Sequence, residues 1–127
     1  MSHTVQIQTQ FKKFDTLVKA FNKIGWTIKE SSTARTYPSD PARHTVYPHI
    51  AVNPQTGYDV GITVSDKGEI GIHYDPYGGS VERTLGSKLS TLKKEYVMEV
   101  TREEFEDVQI LEMLEDGSII LEADDGL

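Results

Sequence analysis

The sequence of 127 residues contains no cysteine, which excludes disulfide bonds, cysteine nucleophiles and metal sites built from thiolates. It has no apolar run near the roughly 20 residues that a membrane-spanning helix needs, and no secretory leader is expected. The glycine-rich nucleotide-binding loops and the GxSxG turn of serine hydrolases are also absent. These absences favour a cytoplasmic, non-membrane protein without a recognisable catalytic signature, and they leave its activity open.

Positive charge is scarce in the C-terminal third of the chain. Residues 1–94 contain 12 Lys and Arg against 8 Asp and Glu, a net charge of +4. Residues 95–127 contain Arg102 alone against 12 acidic residues, a net charge of −11. Such a block indicates docking to a basic partner, contact with the basic half of the chain, or a role in solubility. It disfavours nucleic acid as a partner, because phosphates would be repelled.

Hydrophobic spacing predicts one domain over residues 1–127, with an acidic, frayed end at 124–127. Apolar residues three and four positions apart predict one helix over residues 11–25 and another after Gly79, and alternation predicts the strands. The predicted order is β-α-β-β-β-β-α-β-β. We therefore expect an α+β fold, in which an antiparallel sheet carries two main helices on one face. The other face is expected to be wholly or partly open.

The second helix contains two points at which it could be interrupted. The apolar face of this helix consists of Val81, Leu85, Leu89, Leu92 and Tyr96. Gly86 lies inside the helix and is a weak point in it. Thr101 followed by Glu104 resembles a capping box, so the helix either continues or breaks and restarts there. Asp116-Gly117 predicts a tight turn in a C-terminal hairpin.

The stretch YDVGITVSDKGEIGIHYD predicts a central hairpin whose register follows from its turn. A three-residue loop, Asp66-Lys67-Gly68, requires Gly68 in the left-handed conformation. Three apolar pairs then share one face: Val64 and Ile70, Ile62 and Ile72, Val60 and Tyr74. The pairs on the opposite face are Thr63 and Gly71, Gly61 and His73, Asp59 and Asp75. Because all six apolar residues fall on one face, the pattern supports this register.

Asp59 and Asp75 form the sharpest candidate site. Directly opposed residues have Cβ atoms about 4.5–5.5 Å apart, and like charges so close raise one pKa unless a cation or proton intervenes. His73 on the same face offers a proton or a metal-ligating nitrogen, and Gly61 and Gly71 leave that face bare for a ligand. The pattern predicts a divalent-metal or acid/base site. The alternative is that both aspartates lie in water at strand ends and cap turns.

Tyrosines are concentrated in the middle of the chain, at Tyr37, Tyr47, Tyr58, Tyr74 and Tyr77. With Arg35 and Arg43 they would form a surface for a protein or a single-stranded nucleic acid. Half-buried strand aromatics are the alternative. The residues expected to contact a protein partner are Tyr77 and the acidic residues Glu103, Glu104, Glu106 and Asp107.

Several short motifs resemble a small uncharacterised family, the hypothetical chloroplast reading frame family number thirty-five. At the N-terminus they are the opening Met-Ser-His, Ile7, Thr9, Phe11, Leu17, Ala20 and the helix end Ile24-Gly25-Trp26. The central motifs are Tyr58-Asp59-Val60-Gly61 and Asp75-Pro76-Tyr77-Gly78, and the C-terminal ones are Tyr96 and Asp116-Gly117-Ser118. The resemblance implies an α+β domain of the cytoplasm or stroma in a photosynthetic lineage or its phage, and implies no activity.

The chain departs from the family's pattern in three places. Pro76 and Tyr77 replace an aromatic pair, and the stretch between Tyr96 and Asp116 is shorter. The chain ends in the acidic LEADDGL instead of in basic and aromatic residues. A partner that binds basic and aromatic residues at this end in the family would find acidic residues in this chain.

Together these features predict a small accessory protein that docks a protein partner through the open sheet face and the acidic C-terminal third. The alternative is a metal-dependent or acid/base enzyme, or a ligand-binding site, centred on Asp59, His73 and Asp75.

Overall fold

A five-stranded antiparallel sheet with the order β1-β5-β4-β3-β2 forms the centre of the structure. The computed structural model describes residues 5–8, 11–55, 57–102, 107–113 and 119–124, with side chains over 11–55 and 57–102. The strands of the sheet are β1 (Val5–Gln8), β2 (Thr27–Thr33), β3 (Val46–Val52), β4 (Val60–Val64) and β5 (Ile70–Tyr74). The helices are α1 (Phe14–Ile24), α2 (Ser80–Leu85) and α3 (Ser90–Arg102). The predicted α+β class is confirmed.

The C-terminal hairpin pairs β6 (Asp107–Met113) with β7 (Ile119–Asp124) in a separate two-stranded sheet. The hairpin contacts α3 and does not extend the main sheet. Its turn at Asp116-Gly117 and the end at 125–127 lie outside the described residues. The order of elements is as predicted, with the second helix divided in two.

Helix α1 begins three residues later than the sequence predicts, at Phe14. The backbone N–H groups of Lys12 and Lys13 donate to the hydroxyl of Tyr96 on α3, at 2.8 and 3.0 Å. Because a helix leaves its first N–H groups without internal partners, this hydroxyl serves as a cap supplied by another element. The helix ends as predicted at Gly25, which has φ of +101° and donates its N–H to Asn22.

The second predicted helix is divided at Gly86, which has φ of +86° and ψ of 159°. Lys88 and Leu89 follow with φ of +53° and +63°, so three of the four residues 86–89 have positive φ and leave the helical region. All five predicted apolar residues, Val81, Leu85, Leu89, Leu92 and Tyr96, are nonetheless buried in one core. Thr101 lies within α3, and Glu104 lies outside the described residues.

The core lies between the sheet and the helices. Leu17 and Phe21 of α1, Trp26, Ile62 of β4 and Ile72 of β5 are all fully buried. Burying one such side chain contributes about 1.5–3 kcal/mol to the free energy of folding. This core fixes the register of the central hairpin, because a slip by one residue would turn Ile62 and Ile72 outward.

The predicted register of the β4–β5 hairpin is confirmed. Ile62 pairs with Ile72, Val64 with Ile70, Thr63 with Gly71 and Gly61 with His73. The turn closes with hydrogen bonds between Ser65 and Glu69 and between Gly68 and Ser65, at 2.8 and 2.9 Å. Gly68 has φ of +82°, as a three-residue loop requires.

The sheet face opposite the helices is partly covered. Ala34, from the segment after β2, packs on this face with Tyr47 and Ile50, and all three are buried. Asp40 of the same segment is buried as well, and its charge helps to raise the pKa of the Tyr47 hydroxyl after the larger effect of burial. The segment after β2 therefore covers part of the sheet face that the sequence predicts to be open.

Tyr47 reaches this face because the alternation of β3 is broken at Pro48. The register places Pro48 opposite Ser31, and Ser31 has φ of +46°. His49 contacts Phe14 on the helix side, with ring centroids 4.2 Å apart. Tyr47, two residues earlier, instead lies against Gly61 on the other face. The distortion accommodates Pro48 in an interior strand, where a proline cannot donate a hydrogen bond to its neighbour.

Candidate functional site: a tyrosine surface on two buried aspartates

Asp59, just before β4, is 4% exposed and accepts four N–H groups. The guanidinium of Arg35 binds both carboxylate oxygens, with Nε at 2.9 Å from one and Nη2 at 2.8 Å from the other. The backbone N–H groups of Arg35 and Asn53 donate at 2.9 Å each. The hydrogen bond to Asp59 raises the pKa of Arg35, and this bidentate pair is the strong form of ion pairing. Asp59 therefore holds the segment that begins at Arg35.

Asp75, just after β5, is fully buried and holds the same segment at a second point. One of its carboxylate oxygens accepts the backbone N–H of Tyr37 at 3.0 Å. The other accepts the backbone N–H of Tyr77 at 2.9 Å. A carboxylate between two backbone donors joins the loops that carry Tyr37 and Tyr77, and this connection determines where both tyrosines lie.

The structure places Asp59 and Asp75 at adjoining ends of β4 and β5, but both are buried and not solvated as the simpler alternative expected. Their carboxylate oxygens face N–H donors of the chain. Asp75 does cap a turn, as that alternative predicts, because its carboxylate accepts the backbone N–H of Tyr77 two residues ahead. Arg35 as the partner of Asp59 was not predicted, since no local pattern signals an ion pair between residues 24 apart.

His73 lies on the sheet face opposite the core, as predicted, but the glycines beside it do not leave that face bare. A Cβ built on Gly61 would lie 2.6 Å from the ring of Tyr47, and one on Gly71 would lie 2.6 Å from the hydroxyl of Thr63. The prediction of a bare face is wrong, because the chain's own side chains fill the space. The Nε2 atom of His73 hydrogen-bonds Thr63 at 3.1 Å, and its ring packs on Tyr47 with centroids 5.3 Å apart.

The stability of the folded state is expected to depend on pH through His73. Burial lowers the pKa of His73 from its ordinary value of 6.5, so the unfolded chain binds this proton more readily. The stability that the folded state gains from an uncharged His73 is complete above pH 6.5. It is lost as the pH falls from 6.5 toward the lowered pKa of the folded state. Urea unfolding between about pH 5.5 and 7.5 should show a smaller pH slope in His73→Gln than in the wild type. Equal slopes, or the same change in His44→Gln, would contradict this.

Among the described residues, no group of three or more histidine, aspartate and glutamate side chains is placed to hold a metal ion. The structure brings Asp59 and Asp75 to one end of the hairpin, whereas His73 is engaged with Thr63 and Tyr47 on the second face. The prediction of an acidic docking surface falls on four residues whose side chains the structure does not describe. Glu103, Glu104 and Glu106 lie outside the described residues, and Asp107 begins β6 without a described side chain.

Three tyrosines lie close to one another and to the buried Asp75. We call Tyr37, Tyr58 and Tyr77 the tyrosine surface. The rings of Tyr37 and Tyr77 are in contact, with centroids 4.7 Å apart and planes inclined at 55°. Burial and then the negative charge of Asp75 raise the pKa of the Tyr58 hydroxyl, with smaller contributions from Tyr77 and Tyr37. The side chain of Tyr77 is 50% exposed. The surface thus combines a fixed aromatic base with one projecting ring.

Three arginines border the tyrosine surface. Arg35 lies two residues before Tyr37, and its side chain is 48% exposed despite the pair with Asp59. Arg43 donates to the carbonyl of Pro38, next to Tyr37, at 2.6 Å. Arg83 of α2 donates to the carbonyl of Gly78, next to Tyr77, at 3.5 Å. The sequence predicts Arg35 and Arg43 beside the tyrosines. Arg83 lies near them because the turn at Tyr77–Gly79 leads directly into α2.

Comparison with models of known protein families, with curated proteins and with solved structures gave no match. Within the described part of the chain, no helix has both the length and the apolar character that crossing a membrane demands.

Proposed function

We propose that this chain is a small interaction protein that docks a partner protein through the tyrosine surface. The observation that carries the proposal is the exposed ring of Tyr77, seated on Tyr37 and bordered by arginines. Tyrosine and arginine are enriched at the centres of protein interfaces, where a few such residues supply most of the binding free energy. Tyrosine buries a large area at little cost in side-chain entropy.

The two buried aspartates support the proposal, because they fix the backbone on both sides of the tyrosine surface before any partner arrives. Asp75 binds the N–H groups of Tyr37 and Tyr77, and Asp59 binds the side chain and backbone of Arg35. A preformed surface loses less entropy on binding than a mobile one. The acid/base or metal alternative at Asp59, His73 and Asp75 has no comparable support in the described residues.

Tyr77→Ala is expected to reduce recovery of the partner at least tenfold, a loss of about 1.4 kcal/mol or more in binding free energy. The tagged chain would be used to capture proteins from its native cell, and the bound partner would be quantified across variants. Val64→Ala is the matched control, because Val64 is 43% exposed and lies in β4, away from the tyrosine surface. Equal losses in the two variants would contradict the proposal.

The acidic C-terminal third is proposed as a second contact with the same partner. Replacing Glu103, Glu104, Glu106 and Asp107 by their amides should weaken capture at low salt and reduce its salt dependence. Capture that is insensitive to salt and to these replacements would leave docking to the tyrosine surface alone. A location in the cytoplasm, or in the stroma of a plastid, belongs to this proposal.

A further inference from the structure

A cavity of about 320 Å³ lies between the start of α1 and the second half of α3. It lies apart from the tyrosine surface, and its lining residues are Lys12, Lys13, Tyr96, Val97, Val100 and Thr101. Its volume falls at the small end of the range of about 300–1,000 Å³ that is usual for small-molecule sites. An apolar wall beside a few polar groups is the composition typical of such sites.

Tyr96 provides the buried polar group of this cavity. Its side chain is 7% exposed, and the ring is held edge-on by Phe11, with centroids 4.7 Å apart. The hydroxyl oxygen accepts the N–H groups of Lys12 and Lys13 at 2.8 and 3.0 Å. These two bonds occupy both acceptor positions of the oxygen, so any further hydrogen bond of this hydroxyl is one that it donates. A buried donor favours a ligand that carries an acceptor, and an anionic acceptor most strongly.

Among the described residues that line the cavity, the charged side chains are those of Lys12 and Lys13, and none is acidic. Glu99, one turn along α3 from Glu95 and Tyr96, is bound to both Lys23 and Arg102, and these cations lower its pKa. The positive end of the α1 dipole lies on the same side. An anion entering here would therefore meet cations and a hydroxyl donor.

The remaining part of the lining includes aliphatic side chains. Val97 and Val100 line the cavity from α3, and both also pack against the main core, so their positions are fixed. The hydroxyl of Thr101 donates to the carbonyl of Val97 at 2.7 Å, which turns the methyl end of Thr101 away from that bond. The lining thus combines cationic and hydrogen-bonding groups with aliphatic groups.

We propose that this cavity binds a small organic acid with an aliphatic body. The carboxylate accepts hydrogen bonds from Tyr96 and from the ammonium group of Lys12, while the aliphatic body packs on Val97 and Val100. A carboxylate beside lysines and a phenol makes charge-assisted hydrogen bonds. The aliphatic body adds affinity because its apolar surface leaves water. This site is independent of the proposed docking function, and either one can fail without the other.

Calorimetric titration with hexanoate, acetate and hexan-1-ol tests the proposal on the full chain. Hexanoate should bind the wild type at least tenfold more tightly than acetate, which lacks the aliphatic body, and than hexan-1-ol, which lacks the charge. Lys12→Met should weaken hexanoate binding at least tenfold. Lys19→Met is the matched control, because Lys19 is an exposed lysine of α1 outside the cavity, and it should leave binding unchanged.

Filling the cavity provides a second measurement. Val100→Trp should abolish hexanoate binding while circular dichroism and thermal melting show a folded chain. Tyr96→Phe keeps the ring and removes the donor, so it should weaken hexanoate more than hexan-1-ol. The proposal is overturned if hexanoate fails to bind at millimolar concentration, if hexan-1-ol binds equally well, or if folded Val100→Trp retains binding. Equal effects of Lys12→Met and Lys19→Met would overturn it as well.

Discussion

Asp59→Ala is expected to lower the free energy of unfolding by about 2–4 kcal/mol. The substitution removes a buried acceptor of four N–H groups, two of which come from the guanidinium of Arg35 and two from backbone. The backbone donor of Asn53 is buried, and it would lose its partner without gaining water. The estimate stays below the largest values for buried ion pairs, because half-exposed Arg35 recovers part of its hydration.

Urea unfolding at neutral pH measures this effect, and Asp66→Ala is the matched control. Asp66 is an exposed aspartate in the β4–β5 turn, so its loss should change the free energy of unfolding by no more than about 0.5 kcal/mol. A fall of less than about 1 kcal/mol in Asp59→Ala would show that the Arg35–Asp59 pair contributes little.

Thermal melting with added cations separates the structural role of Asp59 from the metal alternative. If Asp59 and Asp75 only hold loops, then Mg²⁺, Mn²⁺ and Zn²⁺ should leave the melting temperature of the wild type unchanged. A ligand that binds the folded state alone raises its stability by an amount that grows with the logarithm of the ligand concentration above Kd. A cation-dependent rise in melting temperature that disappears in both Asp59→Asn and Asp75→Asn would therefore restore the metal alternative.

Gly61→Ala is expected to destabilise the chain by about 1–3 kcal/mol through overpacking. The added Cβ would lie 2.6–2.7 Å from three atoms of the Tyr47 ring, closer than carbon atoms can approach. Tyr47 is buried between Gly61 and His73, so its ring cannot move aside without losing contacts. Closely packed interiors resist even a single added methyl group.

A double-mutant cycle makes this prediction specific to the Gly61–Tyr47 contact. In the Tyr47→Ala background the ring is absent, and Gly61→Ala should cost about 1 kcal/mol less than it does in the wild type. Chemical unfolding of the four proteins gives the coupling free energy. Additivity within about 0.5 kcal/mol would indicate that the cost of Gly61→Ala arises from the backbone and not from the ring.

The parts of the fold that the sequence predicts well are those with local, repeating signals. The register of β4 and β5 follows from alternation together with one left-handed glycine, and the structure confirms both. The end of α1 at Gly25 follows in the same way. In each case neighbouring residues carry the whole signal, so no knowledge of distant contacts is required.

The site was only partly predictable, because its contacts join residues far apart in the chain. Asp59 and Asp75 stand out as a pair through the register, yet the donors that bind them come from the segment at Arg35 and Tyr37. The covering of Gly61 by Tyr47 depends on a break in alternation, which an alternating pattern cannot foresee. The delayed start of α1 likewise depends on a hydroxyl from α3.

The distortion at Ser31 and Pro48 also bears on how the sheet ends. Strand β2 is an edge of the sheet, and an ordinary edge offers an unbroken row of N–H and carbonyl groups to any extended chain. Here the positive φ of Ser31 interrupts that row within β2 (Thr27–Thr33), between Glu30 and Ser32. An incoming strand could align with one side of the interruption but not with both. The distortion that accompanies the turn of Tyr47 onto Gly61 therefore also makes this edge a poor template for an added strand.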